Sequence, residues 1–220
     1  MPVELEGKMI YTVPVTGVFI TNMYFLIDEK TKHGFLIDPG ASADLILQVI
    51  KRYGFQIEKI LITHGHFDHI GAAEIVSNKL RAPIYIHEKG KRYITDPIWN
   101  LSEESGLKVV LRDVQYLNHG DVISLESNPN IMVHVIYVPG HTTDSIVFYS
   151  KEEKAAFVGD SIFKGSLGRS DFYGGDEVQL FTEVITKILT LPEDTVLYSG
   201  HSEPTTVGIE RARIYKKVVE

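Results

Sequence analysis

The sequence predicts an α/β protein arranged as a four-layered αββα sandwich. Strand-like and helix-like segments alternate in both halves of the chain, and the middle is rich in hairpin-like strands. Two sheets packed face to face with helices outside would cover all of their faces. Hydrophobic content of 44% and charged content of 23% supply an ordinary globular core, and 220 residues fit one domain spanning 1–220.

Met9 to Val15 and Val18 to Ile27 are predicted as strands parted near Pro14 to Gly17, the second interrupted by the polar pair Thr21-Asn22. Phe35-Leu36-Ile37 forms a strand that stops at Asp38-Pro39-Gly40. Ser42 is the expected N-cap of a helix running to Tyr53, with Leu45, Ile46, Val49 and Ile50 on one face and Gly54 as its stop. Ile57 to Ile62 is a buried strand, Ile70 to Leu80 a helix, and Pro83 to His87 a further strand. Glu88 to Gly106 is polar with interspersed aromatics, predicted as short helices and loop, a candidate flap. Strands follow around Tyr116, Val122 to Leu125, Ile131 to Val138, Ile146 to Tyr149 and Ala155 to Val158. Glu177 to Leu189 is a predicted helix, Thr195 to Tyr198 a strand, and Val207 to Val219 the last helix.

The loop between the strand at 57–62 and the helix at 70–80 is Thr63-His64-Gly65-His66-Phe67-Asp68-His69. Imidazole is the commonest transition-metal ligand, and four ligand-type side chains in six residues can help bind two ions. A solvated polar loop would account for one histidine but not for this density. In an extended segment the side chains of 64, 66 and 68 project to one side, and His69 points elsewhere as the helix begins. Three later positions share the same context, a strand ending in a ligand type beside glycine: Gly140-His141, Gly159-Asp160 and Gly200-His201. Loops at strand ends converge while the sheet holds them, so these can meet.

His64-Gly65-His66-Phe67-Asp68-His69 followed by His141, Asp160 and His201 resembles the signature of the metallo-β-lactamase superfamily, His-x-His-x-Asp-His with three outlying ligands. All seven positions match, over a stretch running from Leu36 to Thr206. The resemblance implies the αββα sandwich more strongly than the strand pattern does. It implies that His64, His66 and His141 hold one ion, that Asp68, His69 and His201 hold a second, and that Asp160 bridges them. It also implies that Asp38 orients a ligand histidine. The cofactors it implies are two divalent ions, zinc first, with iron or manganese as alternatives. Two such ions about 3.5 to 4 Å apart lower the pKa of a shared water from about 16 toward 7, so that metal-bound water, with Asp68, forms the catalytic group.

Gly159-Asp160-Ser161-Ile162-Phe163 with the later Gly168-Arg169-Ser170-Asp171 is similar to the glyoxalase II-like branch, which hydrolyses thioesters such as S-lactoylglutathione. That likeness makes Lys164 and Arg169 candidate contacts for an anionic acyl thioester, the expected small-molecule partner. A thiolate with a pKa of about 8.5 leaves without help from a general acid, and the sequence offers no obvious one. The chain ends 19 residues past His201, which matches the short single-domain members of the branch. Two alternatives stand beside this reading. One is a persulfide dioxygenase-like oxidoreductase using one iron; the other is a metal-binding module without catalysis.

The remaining features narrow the class. The absence of cysteine removes disulfides, thiolate ligands and a Cys nucleophile together. A net charge of −7 argues against broad nucleic-acid or anionic-membrane binding. The first eight residues contain Glu4 and Glu6 and no apolar h-region, and no run approaches a membrane span, so a cytoplasmic location is expected. His33, His87, His119 and His134 match no ligand position, with His87 expected nearest the site.

Overall fold

A computed structural model describes residues 9–219. Residues 1–8, on which the expectation of no secretory signal rests, lie outside the described residues. Two six-stranded sheets dominate. In the first, β1 (Ile10–Thr16), β2 (Ile20–Ile27), β3 (His33–Ile37), β4 (Gln56–Leu61), β5 (Ile84–His87) and β6 (Val114–Leu117) lie side by side in chain order. The first three are antiparallel and the last four parallel. The second contains β7 (Val122–Ser124), β8 (Met132–Tyr137), β9 (Ile146–Ser150), β10 (Ala155–Gly159), β13 (Val196–Ser199) and β14 (Thr205–Thr206), in the order β14-β13-β10-β9-β8-β7. A small hairpin of β11 (Ile162–Phe163) and β12 (Ser166–Leu167) follows β10.

The alternation of side chains along each strand builds the layers. Phe35, Ile37 and Leu61 face inward and meet Val135, Phe148 and Phe157 of the other sheet in a core between the sheets. Their strand neighbours Leu36 and Ile60 face outward, under α1 (Ala43–Tyr53) and α3 (Ala73–Leu80). On the far side Val147, Ala156 and Val158 face outward under α4 (Glu177–Glu183) and α5 (Val207–Val219). Strands buried on both faces read as continuous apolar runs for this reason, and the αββα sandwich expected from sequence is the architecture observed. Fully burying one such Phe or Ile contributes about 1.5–3 kcal/mol, so the central layer holds the sheets in register. Among the described residues, no helix is long and apolar enough to cross a membrane.

Three local expectations need correction. Ser42 does precede α1, but it sits at φ 57 with its hydroxyl donating to the Thr16 carbonyl (3.0 Å), so it ties the loop to β1 rather than capping the helix. The stop at Gly54 is as expected, with φ 70 and its N–H donating to the Ile50 carbonyl. The helix expected over 70–80 is two pieces, α2 (Phe67–Ile70) and α3. Between them Ala72 donates to the Pro39 carbonyl (2.9 Å), and a side chain at Gly71 would lie 2.4 Å from the Gly40 carbonyl oxygen. The chain gives up helical continuity to press against the turn that carries Asp38. The helix expected over 177–189 begins on its Asp176 cap, which accepts from Gln179 N–H (2.9 Å), but widens into a π-turn at Val184–Ile188.

Segment 88–106 contains one turn of 3₁₀-helix, Glu88–Lys91, and otherwise only turns. Buried Asn100 organises it, donating to the carbonyls of Tyr93 (2.8 Å) and Val109 (2.9 Å), while its own carbonyl accepts from Phe67 N–H (2.9 Å). The segment is thus fastened to the histidine-rich loop.

Candidate metal centre

The ends of β3, β4, β8, β10 and β13 open on one edge of the sandwich, and each delivers a polar side chain there: Asp38, His64, His141, Asp160 and His201 in turn. Close contact is built in by small residues. A side chain at Gly200 would come within 2.3 Å of Asp160 Oδ1 and 2.6 Å of the His69 ring.

His64, His66 and His141 converge. His141 Nε2 lies 3.0 Å from His66 Nδ1 and 3.2 Å from His64 Nε2. Beside them His201 Nε2 is 3.1 Å from Asp68 Oδ2 and 3.3 Å from Asp160 Oδ2, and His69 Nε2 is 3.4 Å from Asp160 Oδ1. Asp160 Oδ2 also lies 3.7 Å from His141 Nε2, so this carboxylate stands between the two groups. The extended geometry expected for 64, 66 and 68 ends at His66, because Phe67 starts α2. Asp68 therefore leaves the company of His64 and His66 and joins His69 and His201.

An outer ring of acceptors fixes which ring nitrogen faces inward. His69 Nδ1–H donates to Asp38 Oδ2 (2.9 Å), His141 Nδ1–H to the Arg169 carbonyl (2.6 Å), and His201 Nδ1–H to the Ile20 carbonyl (2.9 Å). Thr63 Oγ1 donates to Asp38 Oδ2 (2.7 Å) and so accepts from His64 Nδ1–H (3.1 Å). Carbonyls and carboxylates accept only, which leaves each Nε2 turned toward the centre. Thr21 Oγ1 donates to Asp68 Oδ2 (3.1 Å) and orients that carboxylate.

Inward lone pairs 3.0–3.2 Å apart repel unless a cation lies between them. Ligand nitrogens on a tetrahedral ion at about 2.0–2.1 Å stand about 3.3–3.4 Å apart, a few tenths of an ångström wider. The buried Asp160 Oδ1 and His69 Nε2 also lack a hydrogen-bond partner. The donor set, all nitrogen and carboxylate oxygen without sulfur, fits a divalent transition metal.

The electrostatics divide the site. Burial, together with neighbouring histidines, holds His64 and His66 well below the usual imidazole range, and burial also lowers His141. Burial opposes the charge on His69, yet Asp68, Asp160 and Asp38 raise it well above that range. His201 is likewise pushed up to about 10 by its bonds to Asp160 and Asp68, against burial. The same contacts overcome burial to hold Asp68 below, and Asp160 well below, the ordinary carboxylate range. Neutral imidazoles thus form one group, and protons on His69 and His201 balance two carboxylates in the other.

A cavity of about 340 Å³ opens over these groups. His66, Asp68, His141, Asp160 and His201 reach it, and Phe19, Ile20, Phe67, Leu101, Phe163 and Phe172 wall it. Arg169 lines it too, held bidentate by Asp171 (2.7 and 2.9 Å) with its guanidinium 4.2 Å over Phe172. Lys164 is not brought to this cavity: it pairs with Glu203 at 2.6 Å on the adjacent surface. Of the four other histidines, His87 is buried against Tyr137 (4.4 Å, stacked) and His33 pairs with Glu58 at 2.8 Å. None of the four joins a metal-type group among the described residues.

Sequence reasoning missed Thr63, Thr21, the Ile20 and Arg169 carbonyls, and buried Asp144. The Asp144 carboxylate accepts from Gly65 N–H (3.0 Å) and is pushed up to about 7 by burial. Thr21 had a signal, a polar residue inside an apolar strand; backbone carbonyls leave none.

A family model of the metallo-beta-lactamase superfamily matches residues 16–201. A probable metallo-hydrolase of Bacillus subtilis is 36% identical, the match covering 89% of this chain and 91% of the relative. A hydroxyacylglutathione hydrolase, GloC, of Haemophilus influenzae is 31% identical over 90% and 93%. The crystal structure of the B3 metallo-beta-lactamase BLEG-1 superposes with a TM-score of 0.87 at 33% identity, covering 93% of this chain and 97% of its own. TTHA1623 in a di-iron-bound form superposes with a TM-score of 0.80 at 30% identity, covering 91% and 96%. With the fold, the strand-end histidines and these matches in agreement, the chain belongs to the metallo-beta-lactamase superfamily, whose members are generally metal-dependent hydrolases.

Proposed function

We propose that the chain is a metal-dependent thioester hydrolase of the S-lactoylglutathione-cleaving type. The observation that carries the proposal is the convergence of His64, His66 and His141 beside the Asp68, Asp160, His69 and His201 group at the floor of one cavity. In this reading His64, His66 and His141 hold one ion, Asp68, His69 and His201 the other, and Asp160 serves both. Two divalent ions, zinc first and iron or manganese as alternatives, would supply a water of lowered pKa and a Lewis acid for the carbonyl.

The protein's own groups do the positioning. Asp38, Thr63 and the Arg169 and Ile20 carbonyls keep the outward N–H of four histidines occupied, so their lone pairs stay aimed inward. Thr21 holds one oxygen of Asp68, and the aromatic walls keep bulk water from the reacting carbonyl. Once His201 is taken up as a ligand, no Tyr, Lys or neutral carboxylic acid among the described residues lining the cavity is left to protonate a poor leaving group. A thiolate, with a pKa of about 8.5, needs no such donor, which favours a thioester over an amide. The GloC relative supports the same chemistry.

The second reading is an oxidoreductase of the persulfide dioxygenase type using one iron; the di-iron neighbour bears on it only in that a related fold accepts iron. A metal count on the purified protein, combined with turnover of S-lactoylglutathione, other acyl thioesters, a lactone, a lactam and a phosphodiester, separates them. Two ions with thioester cleavage support the proposal. One iron with oxygen uptake replaces it with the second reading, and a loaded protein that turns over nothing leaves a metal-binding module.

A further inference from the structure

A second cavity, of about 230 Å³, adjoins the one over the candidate metal centre, and the two share Phe19, Phe67 and Asp68. Its other side-chain walls are apolar: Val18 from the β1–β2 connection, Ala41 after β3, and Leu107 and Val109 from the segment before β6. Three of its wall residues stand about half exposed, Val18 at 52%, Phe19 at 54% and Leu107 at 45%. Large apolar side chains grouped around a concavity mark a place where something apolar binds.

Charge points the same way. The one titratable group in the second cavity's lining is Asp68, already engaged by Thr21 and His201. Cations near the mouth are matched by acids, Arg169 by Asp171 and Lys164 by Glu203. An acyl portion bearing a free carboxylate would find no cation among the residues lining the second cavity, whereas a hydrocarbon chain would find a continuous apolar wall.

We propose that this second cavity is an acyl subsite, which takes the uncharged hydrocarbon part of the substrate's acyl group while the thiol portion lies in the larger cavity toward Arg169 and Phe172. The inference rests on the thioester hydrolase reading and narrows its substrate class to thioesters of apolar acyl groups. An acyl chain seated against Leu107 and Val109 has its carbonyl at the shared Asp68 edge. Hydrolysis there breaks the carbon–sulfur bond, forms a carbon–oxygen bond from water, and releases a carboxylate, a thiol and a proton.

The test uses the metal-loaded full chain and N-acetylcysteamine thioesters of acetate, butyrate and hexanoate, with S-lactoylglutathione for comparison. The expected kcat/KM rises about fourfold per methylene buried until the cavity is filled, and hexanoyl exceeds lactoyl. Ala41→Leu, which fills the cavity, should flatten the series, and Leu107→Ala should move its optimum to longer chains. Calorimetric titration with ketone analogues, in which a methylene replaces the thioester sulfur, reads the same subsite without turnover. Their Kd should fall by the same factor per methylene in the unsubstituted protein and not in Ala41→Leu. Length-dependent analogue binding without thioester cleavage would uphold the subsite and overturn the hydrolase reading. Cleavage with a flat chain-length profile, a preference for S-lactoylglutathione, or a profile that neither variant moves would overturn the subsite alone.

Discussion

Asp38→Asn isolates what the outer ring contributes to the metal centre. Asp38 occupies φ 51, a left-handed conformation that Asn also tolerates, so the backbone keeps its path. The carboxylate accepts three hydrogen bonds, from Thr63 N–H (2.8 Å), Thr63 Oγ1 (2.7 Å) and His69 Nδ1–H (2.9 Å). An amide can accept the first, but its NH₂ then faces two donors. The least costly escape is for His69 to accept through Nδ1 and carry its proton on Nε2, the atom needed inside the site. Loss of such an outer partner weakens metal affinity by about 10- to 100-fold, equivalent to about 1.4–2.7 kcal/mol. Competition with a chromophoric chelator measures the two ions separately. The expected outcome is one ion weakened by that factor and the other, assigned in the proposal to His64, His66 and His141, weakened less. Two ions retained at unsubstituted affinity would refute the proposed role of Asp38.

Other expectations concern the ligands, the protons and the mouth of the cavity. His66→Ala or Asp160→Ala should cut thioester turnover by orders of magnitude with an unchanged far-ultraviolet dichroism spectrum; near-normal activity in both would end the two-ion proposal. In chelated protein His201 is raised from 6.5 to about 10, so its share of stability is complete below pH 6.5 and fades as pH climbs toward 10. Melting temperatures in chelator should fall over that interval while those of metal-loaded protein hold, and parallel curves would count against the assignment. Arg169→Ala should raise KM more than it lowers kcat, since the carbonyl that holds His141 belongs to the backbone and survives the substitution; a loss confined to kcat argues otherwise.

Much of the architecture was legible because strands such as Phe35-Leu36-Ile37 and Phe157-Val158 are buried on both faces and advertise it as unbroken apolar runs. The clustering of His64, His66 and His69 was legible from dense spacing, while the place of His141 and His201 beside them came from the resemblance to the family signature more than from glycine at strand ends. The break at Gly71 was not, because helix periodicity runs straight through it and the cause lies in the distant Pro39-Gly40 turn. Ser42 misled for a similar reason: local capping chemistry lost to a contact with Thr16, 26 positions away in sequence. Lys164 and Arg169 look alike in the sequence, and only folding shows Glu203 beside one and Phe172 beside the other. The carbonyls of Ile20 and Arg169 have no side-chain identity to read at all.

Neither half of the polypeptide can complete a coordination set by itself. The set containing His64 and His66 waits for His141 from the opposite sheet, and the one containing Asp68 and His69 waits for His201. Asn22 and Tyr24 bridge to the carbonyls of Ser199, Gly200 and Ser202 along the same seam. On the proposed assignment the first set is complete only once residue 141 has been made and the second only once residue 201 has, so a product stopping short of His201 would lack one site and one stopping short of His141 would lack both. Metal capture at both sites would in this sense be an inspection stamp, granted once the sandwich has closed.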